Sequence, residues 1–334
     1  MSGAYAGRRR SGPGGRGGRG GERPMVPRAE FTSYYGRPVI KSPVWAATDI
    51  AGYLFLGGLA GASSVLAAGA QLTGRPGLAK TAKTGSLAAG CLSIAGLVHD
   101  LGRPSRFANM LRTFKVTSPM SVGSWLLGGY VPAAAVACGC AITGRLPRLG
   151  AMATAGSALL GPVVATYTAA LIADTAVPTW HDGYRELPFV FAGSAATAAG
   201  GLGLLAAPIA ESAPARNFAV LGACTELAAA KLMEDRLGLV AEPYQRGSSG
   251  QYLKASRALA AVGLAGSLAS IRSPWAGRLA GVAFLAASAV TRWGIFHAGQ
   301  ASAADPKYTV VPQRQRRDAA KPGPADPGPA ERIA

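Results

Sequence analysis

The chain reads as an all-α integral membrane protein: eight transmembrane helices in two four-helix bundles, preceded by a disordered basic N-terminal tail. Three observations predict this. Of its 334 residues, 49% are hydrophobic and only 15% are charged, against about 25% charged in soluble chains. The apolar residues gather into eight runs close to the roughly 20 residues that cross a bilayer. Glycine, 46 residues in all, and alanine are frequent inside those runs, as expected where membrane helices pack through small residues. A soluble all-α protein accounts for none of the three.

The runs follow one another with little between them. The first, 46–71, contains "YLFLGGLAGASSVLA" and has Asp49 near its start. The second, 83–101, ends in "HDLGRPSRFANML", where His99, Asp100, Arg103 and Arg106 arrive within eight positions. The third and fourth, 120–142 and 150–177, are separated by "GRLPRLG". The fourth holds Tyr167 in mid-span and closes on Asp174, with Trp180, His181 and Asp182 just beyond. The fifth and sixth cover 186–208 and 216–235. In the sixth, Glu226 lies deep and Lys231 nearer the edge, and Glu234 and Asp235 close the run. The seventh and eighth cover 253–272 and 275–297, with Arg292 and His297 at the end of the last.

A net charge of +18 raises the question of nucleic acid, but its location argues against that partner. Nine Arg/Lys fall in the first 41 residues, in a Gly- and Arg-rich tail that should be disordered. Arginine–glycine segments can bind RNA. Beside eight spans, a topology signal or docking arm is the better reading. The tail is no secretory signal, because no apolar stretch follows the arginines before the first full span. Cys91, Cys138, Cys140 and Cys224 lie inside spans without CxxC spacing and read as small packing residues. Iron–sulfur clusters need thiolates grouped in loops, so none is expected in this chain.

Eight spans place both termini on one side. Nine basic residues precede the spans and six follow residue 299; with a mild bias of the loops the same way, both termini are expected in the cytoplasm. Odd spans begin on that side and even spans end there. Asp49, His99, Asp100, Arg103, Asp174, His181, Glu234, Arg292 and His297 are thus all expected at one mouth. Helix ends near water tolerate charge without any function, but that alone predicts similar decoration on both sides.

The chemistry is constrained by what is missing. Haem between helices needs facing axial ligands, and all three histidines lie near the membrane edge, so no haem is expected. A mobile quinone fits better. It needs an apolar slot, a donor to each carbonyl and a carboxylate or histidine to relay protons. Asp49, His99, Arg103 and Tyr167 supply such groups. Asp174, on the same helix face as Tyr167, and Glu226 are candidates for proton transfer, because an intramembrane carboxyl marks an ion or proton path. Glu226 as a packing carboxyl is the plain alternative.

These residues carry a resemblance. "YLFLGGLAGASSVLA", "HDLGRPSRFANMLRTFKVTSPMSVGSWLL" and "GPVVATYTAALIADTAVPTWHDGYRELPFVF" resemble the membrane subunit of polysulfide reductase and its NrfD-type relatives. The closing "TRWGIFHAGQASAADPKYTVVPQR" is similar to an actinobacterial branch. The likeness spans roughly residues 33–314, outside the tail. It implies a haem-free quinone-binding anchor, with menaquinone as the expected quinone. Its implied partners are a ferredoxin-like four-cluster iron–sulfur subunit and a molybdopterin catalytic subunit, as in formate dehydrogenase-like complexes of anaerobic respiration. It places quinone contacts at Asp49, with Tyr53 beside it, and at Tyr167. Relatives often carry Asn or His near the first position, so Asp49 departs from their pattern. Asp100 and Arg103 match the DLGRP signature, where Arg103 could cap span 2 and Pro104 end it. Residues 1–41 are then tail, 42–299 the quinone-binding domain and 300–334 an extension. An eight-span transporter should place its site at the midplane between repeats; a structural anchor would hold no quinone.

Overall fold

The computed structural model describes residues 38–41, 43, 45–101 and 109–319. The proposed tail up to residue 37, Arg103 and the segment from residue 320 onward lie outside the described residues. The described residues form eight long helices and short connecting ones, with no strand among them. The long helices are α1 (Ala47–Leu72), α2 (Pro76–Asp100), α3 (Pro119–Thr143), α4 (Pro147–Ala173), α6 (Leu187–Ala206), α7 (Ala213–Leu237), α9 (Gly247–Ala269) and α10 (Pro274–Ala304). Short α5 (Pro178–Asp182) and α8 (Glu242–Gln245) and the terminal α11 (Lys307–Ala319) complete the set.

Local chemistry sets the helix starts. α2, α3, α4 and α10 each begin on a proline, whose missing N–H costs nothing in the first turn. Ser118 and Ser273 cap α3 and α10, accepting from Ser121 N and Ala276 N. α3 ends on Gly144 at φ 68°, a left-handed cap that needs no Cβ.

α1, α2, α3 and α4 pack in a ring, and α6, α7, α9 and α10 form a second group. α1 lies against α6 and α10 and joins the two. Close approach comes from small residues, as expected where hydrophobicity alone cannot drive association. A Cβ on Gly161 would come within 2.5 Å of Gly61 O and 2.6 Å of Ser64 Oγ. Ser64 Oγ donates across the seam to Ser157 O at 3.0 Å. The same contact recurs between α6 and α7, where Gly193 faces Gly222.

Six helices are long and apolar enough to cross a membrane: α1, α2, α3, α4, α6 and α10. The expected spans 216–235 and 253–272 are helical as α7 and α9 but fall short of that test. α7 carries Glu226, Lys231, Glu234, Asp235 and Arg236, and α9 carries Lys254 and Arg257. Some of these charges pair with one another: Arg257 with Glu234 between the two helices, and Lys231 with Asp235 on the surface of α7. The last expected span, ending at 297, extends instead to Ala304. Its 31 residues run about 46 Å, because "AGQASAA" continues in helix-compatible residues.

Candidate functional site

The starts of α1 and α6 and the ends of α2, α4, α7 and α10 share one end of the molecule, the end where the described residues begin and finish. There α5 is wedged among them by Trp180, which is fully buried. Its indole N–H donates to Ile295 O at 2.9 Å, and its ring stacks on Trp45 with centroids 6.1 Å apart. Tyr244 of α8 donates to Thr179 O at 2.9 Å. Arg236 reaches both Glu186 Oε2, at 2.6 Å, and Asp182 O. The Arg236 hydrogen bond holds the Glu186 carboxyl below the usual carboxylate range. Glu242 is held down likewise, mainly by Lys307, which together with Tyr308 fastens α11 to α8.

Asp49, Tyr53, His99, Asp100 and Tyr167 come together at this end of the first bundle. His99 Nδ1 lies 2.8 Å from Asp49 Oδ2. With a carboxylate as acceptor, Nδ1 carries the ring proton and Nε2 is left for exchange. The pair straddles a gradient of exposure, the Asp49 side chain 20% exposed and that of His99 79%. Asp100 is half-buried, and its carboxyl takes a backbone hydrogen bond at Ala46, the residue that starts α1. It therefore ties α2 to the positive end of the α1 dipole. One turn deeper on α1, Tyr53 meets the ring of Tyr167 edge to face, centroids 6.4 Å apart. Gly123 of α3 lies directly against the Tyr167 ring, leaving no room for a Cβ. The Tyr167 hydroxyl is buried and has no hydrogen-bond partner among the described residues. Buried tyrosine hydroxyls usually find one.

Asp174, expected to close the fourth span, is exposed at the C-cap of α4. His181 is exposed too, its Nδ1 3.1 Å from Ala173 O. His297 sits seven residues inside the end of α10, stacked on Tyr252.

Glu226 belongs to a second centre, between α7 and α10. It is 5% exposed, and Thr291 Oγ1 donates to its Oε1 at 2.6 Å. Ser256 Oγ is 2.6 Å from Thr291 Oγ1. Beside them lies a cavity of about 30 Å³ lined by Glu226, Ser256, Thr291, Tyr244 and the Arg257–Glu234 pair. That is room for about two waters. The cavity lies between the polar ends of α7 and α9, on the terminus-bearing side.

Arg292 was expected at the membrane edge, yet it is fully buried in the seam between the bundles. Its Nη2 donates to Phe191 O at 2.9 Å, and the guanidinium lies 3.6 Å over the Phe191 ring. Gly58 of α1 makes room for it, and it interacts electrostatically with Glu226. Nε and Nη1 have no partner among the described residues. The signal missed in the sequence was the helix-compatible stretch after His297, which moves Arg292 inward by two turns.

Among the described residues the one-sided decoration holds for histidines and for carboxylates other than Glu211, but not for cations. At the far end, Arg75, Lys80, Lys83, Arg145 and Arg148 on the first bundle and Arg216, Arg272 and Arg278 on the second have no carboxylate partner among the described residues.

The family model described as "Polysulphide reductase, NrfD" matches residues 39–217, just over half of the chain and all of α1 to α6. No curated protein sequence matches the chain.

Proposed function

The chain belongs to the polysulphide reductase NrfD family, and from that premise we propose that it is a haem-free, eight-span anchor that binds quinone and exchanges electrons with an iron–sulfur subunit. The family implies a multi-pass membrane subunit of a quinone-linked oxidoreductase, normally joined to iron–sulfur and catalytic subunits. The finer reading rests on one observation above all. A buried tyrosine hydroxyl without a partner among the described residues stands beside a second tyrosine, one turn below a carboxylate–histidine pair.

Those groups fit a quinone headgroup in kind. Tyr167 would donate to one carbonyl, the Asp49–His99 pair would serve the other, and the Tyr53 ring would wall the slot. Asp100 neighbours the pair, and Arg103, outside the described residues, completes the proposed set. Bound quinone, menaquinone in this proposal, supplies two-electron, two-proton chemistry. Asp49 holds His99 in one tautomer, and exposed His99 trades protons with water through Nε2. Glu226, with Thr291, Ser256 and the small cavity, offers a second proton route from the same end, and Asp174 lies at the water-facing end of the helix bearing Tyr167. The ferredoxin-like four-cluster subunit would dock over α5, α8 and α11, carrying a molybdopterin catalytic subunit beyond it.

Solvent extraction of the purified complex is expected to yield menaquinone. Extracts free of quinone would favour a structural anchor or a transporter, and the same site is probed by substitution in the Discussion. Glu226→Gln keeps shape and hydrogen bonding but cannot titrate. It is expected to slow quinone-linked turnover several-fold between about pH 6 and 8; a wild-type rate across that range would make Glu226 a packing residue.

Both termini are proposed to be cytoplasmic. The nine basic residues of the first 41 and the six after residue 299 outweigh the eight at the far end, and moving arginine outward against the potential is unfavourable. A cytoplasmic reporter fused after Ala334 should be active. Alkaline phosphatase activity there, with the cytoplasmic reporter silent, means the opposite orientation.

A further inference from the structure

At the far end of the first bundle, α1 and α3 finish and α2 and α4 begin. Two hollows of about 320 and 300 Å³ adjoin there, sharing Gln71, Lys83 and Ala141. Lys83 separates them. It is only 8% exposed, and its Nζ has a neutral partner, Gln71 Oε1 at 2.5 Å. No carboxylate pairs with it among the described residues. An ammonium buried against an amide alone lacks its counter-charge.

The surroundings add positive potential. Arg75 and Lys80 line the first hollow. The second is lined by Pro147, Gly150 and Ala151, the first turns of α4, and so faces the positive end of that helix dipole. The acid at the start of α2, Glu211, is already engaged, accepting from Leu78 N at 2.8 Å. Beside the hollows, Leu72, Leu146, Leu149 and Met152 stand exposed. A cationic cleft rimmed by exposed apolar side chains at the end of membrane-crossing helices matches a phosphate with attached acyl chains.

We propose that this corner is a binding site for an anionic phospholipid, its phosphate held by Lys83, Arg75 and Lys80 and its chains lying along Leu146, Leu149 and Met152. The site is independent of the quinone reading, since it sits at the other end of the bundle.

The test uses the purified complex in nanodiscs of phosphatidylglycerol or phosphatidylcholine, with bound lipid counted after mild-detergent extraction. The wild type should retain phosphatidylglycerol preferentially and melt higher in it. Lys83→Gln should retain it about five-fold less, the effect of one charge near a membrane surface, without losing quinone-linked activity. If Lys83→Gln does not accumulate, Lys80→Gln on the exposed rim is read in the same way. Equal retention of the two lipids by the wild type, or unchanged retention in the variants, overturns the proposal. So does a melting shift that inorganic phosphate alone reproduces in phosphatidylcholine, which would make the ligand a free anion.

Discussion

Tyr167→Phe is expected to slow quinone-linked turnover by about ten-fold or more, the worth of one hydrogen bond to a reacting carbonyl. Its melting temperature should not fall. The hydroxyl has no partner among the described residues, and deleting an unsatisfied buried polar atom is neutral or stabilising. A residue that matters only for packing would show the reverse. Asp49→Asn should slow the same step, because the amide can no longer fix the His99 ring proton on Nδ1 as a charged acceptor. In both variants the soluble subunits should keep full activity with artificial dyes. Unchanged quinone kinetics in both would sink the site assignment.

The second large effect concerns the fold. Gly161→Ala pushes a methyl group into Gly61 O and Ser64 Oγ, both parts of the α1–α4 contact, and overpacking of this kind costs about 1–3 kcal/mol. Gly161→Leu should give no stable protein. Gly156→Ala is the control on the same helix: a Cβ there meets nothing within 4 Å, so alanine should be neutral or better by about 0.5–1 kcal/mol. Thermal melting of the three variants in detergent decides the matter. If Gly161→Ala melts with Gly156→Ala, the close approach does not hold the bundle together.

The helices and their order were legible because lipid forces backbone hydrogen bonds inward, which leaves apolar length as a direct readout. Prolines mark several helix starts that apolar length alone set late, as Pro76 does for α2, expected from residue 83. What escaped was anything set by three-dimensional neighbours. The Glu234–Arg257 pair that joins α7 to α9 had no signal in the two apolar runs. The tie of Asp100 to Ala46, at the start of α1, had no sequence signal. Arg292 looked peripheral because alanine, glycine and serine beyond His297 carry no strong apolar signal. Of the proposed site, Asp49, Tyr53, His99 and Tyr167 do converge, since helix parity and the seven-residue face rule survive folding. Thr291 and Ser256 had no sequence signal at all; hydroxyls in membrane helices usually bond their own backbone, as Thr291 does to Ala287 O, and here both reach across to another helix.

The charge on α7 has a consequence for how the protein is made. On insertion scales each central charge costs about 2.5–3.5 kcal/mol, so α7 is a poor candidate for leaving the translocon alone. It would enter with α6, whose glycines already match its own. Even then the Glu226 carboxyl waits for Thr291, sixty-five residues later in the chain, and Glu234 waits for Arg257. The second bundle is thus expected to mature only after α10 has been synthesised. Truncations ending between α7 and α10 should be caught by membrane quality-control proteases, while the first bundle, self-sufficient by hydropathy, inserts ahead of them.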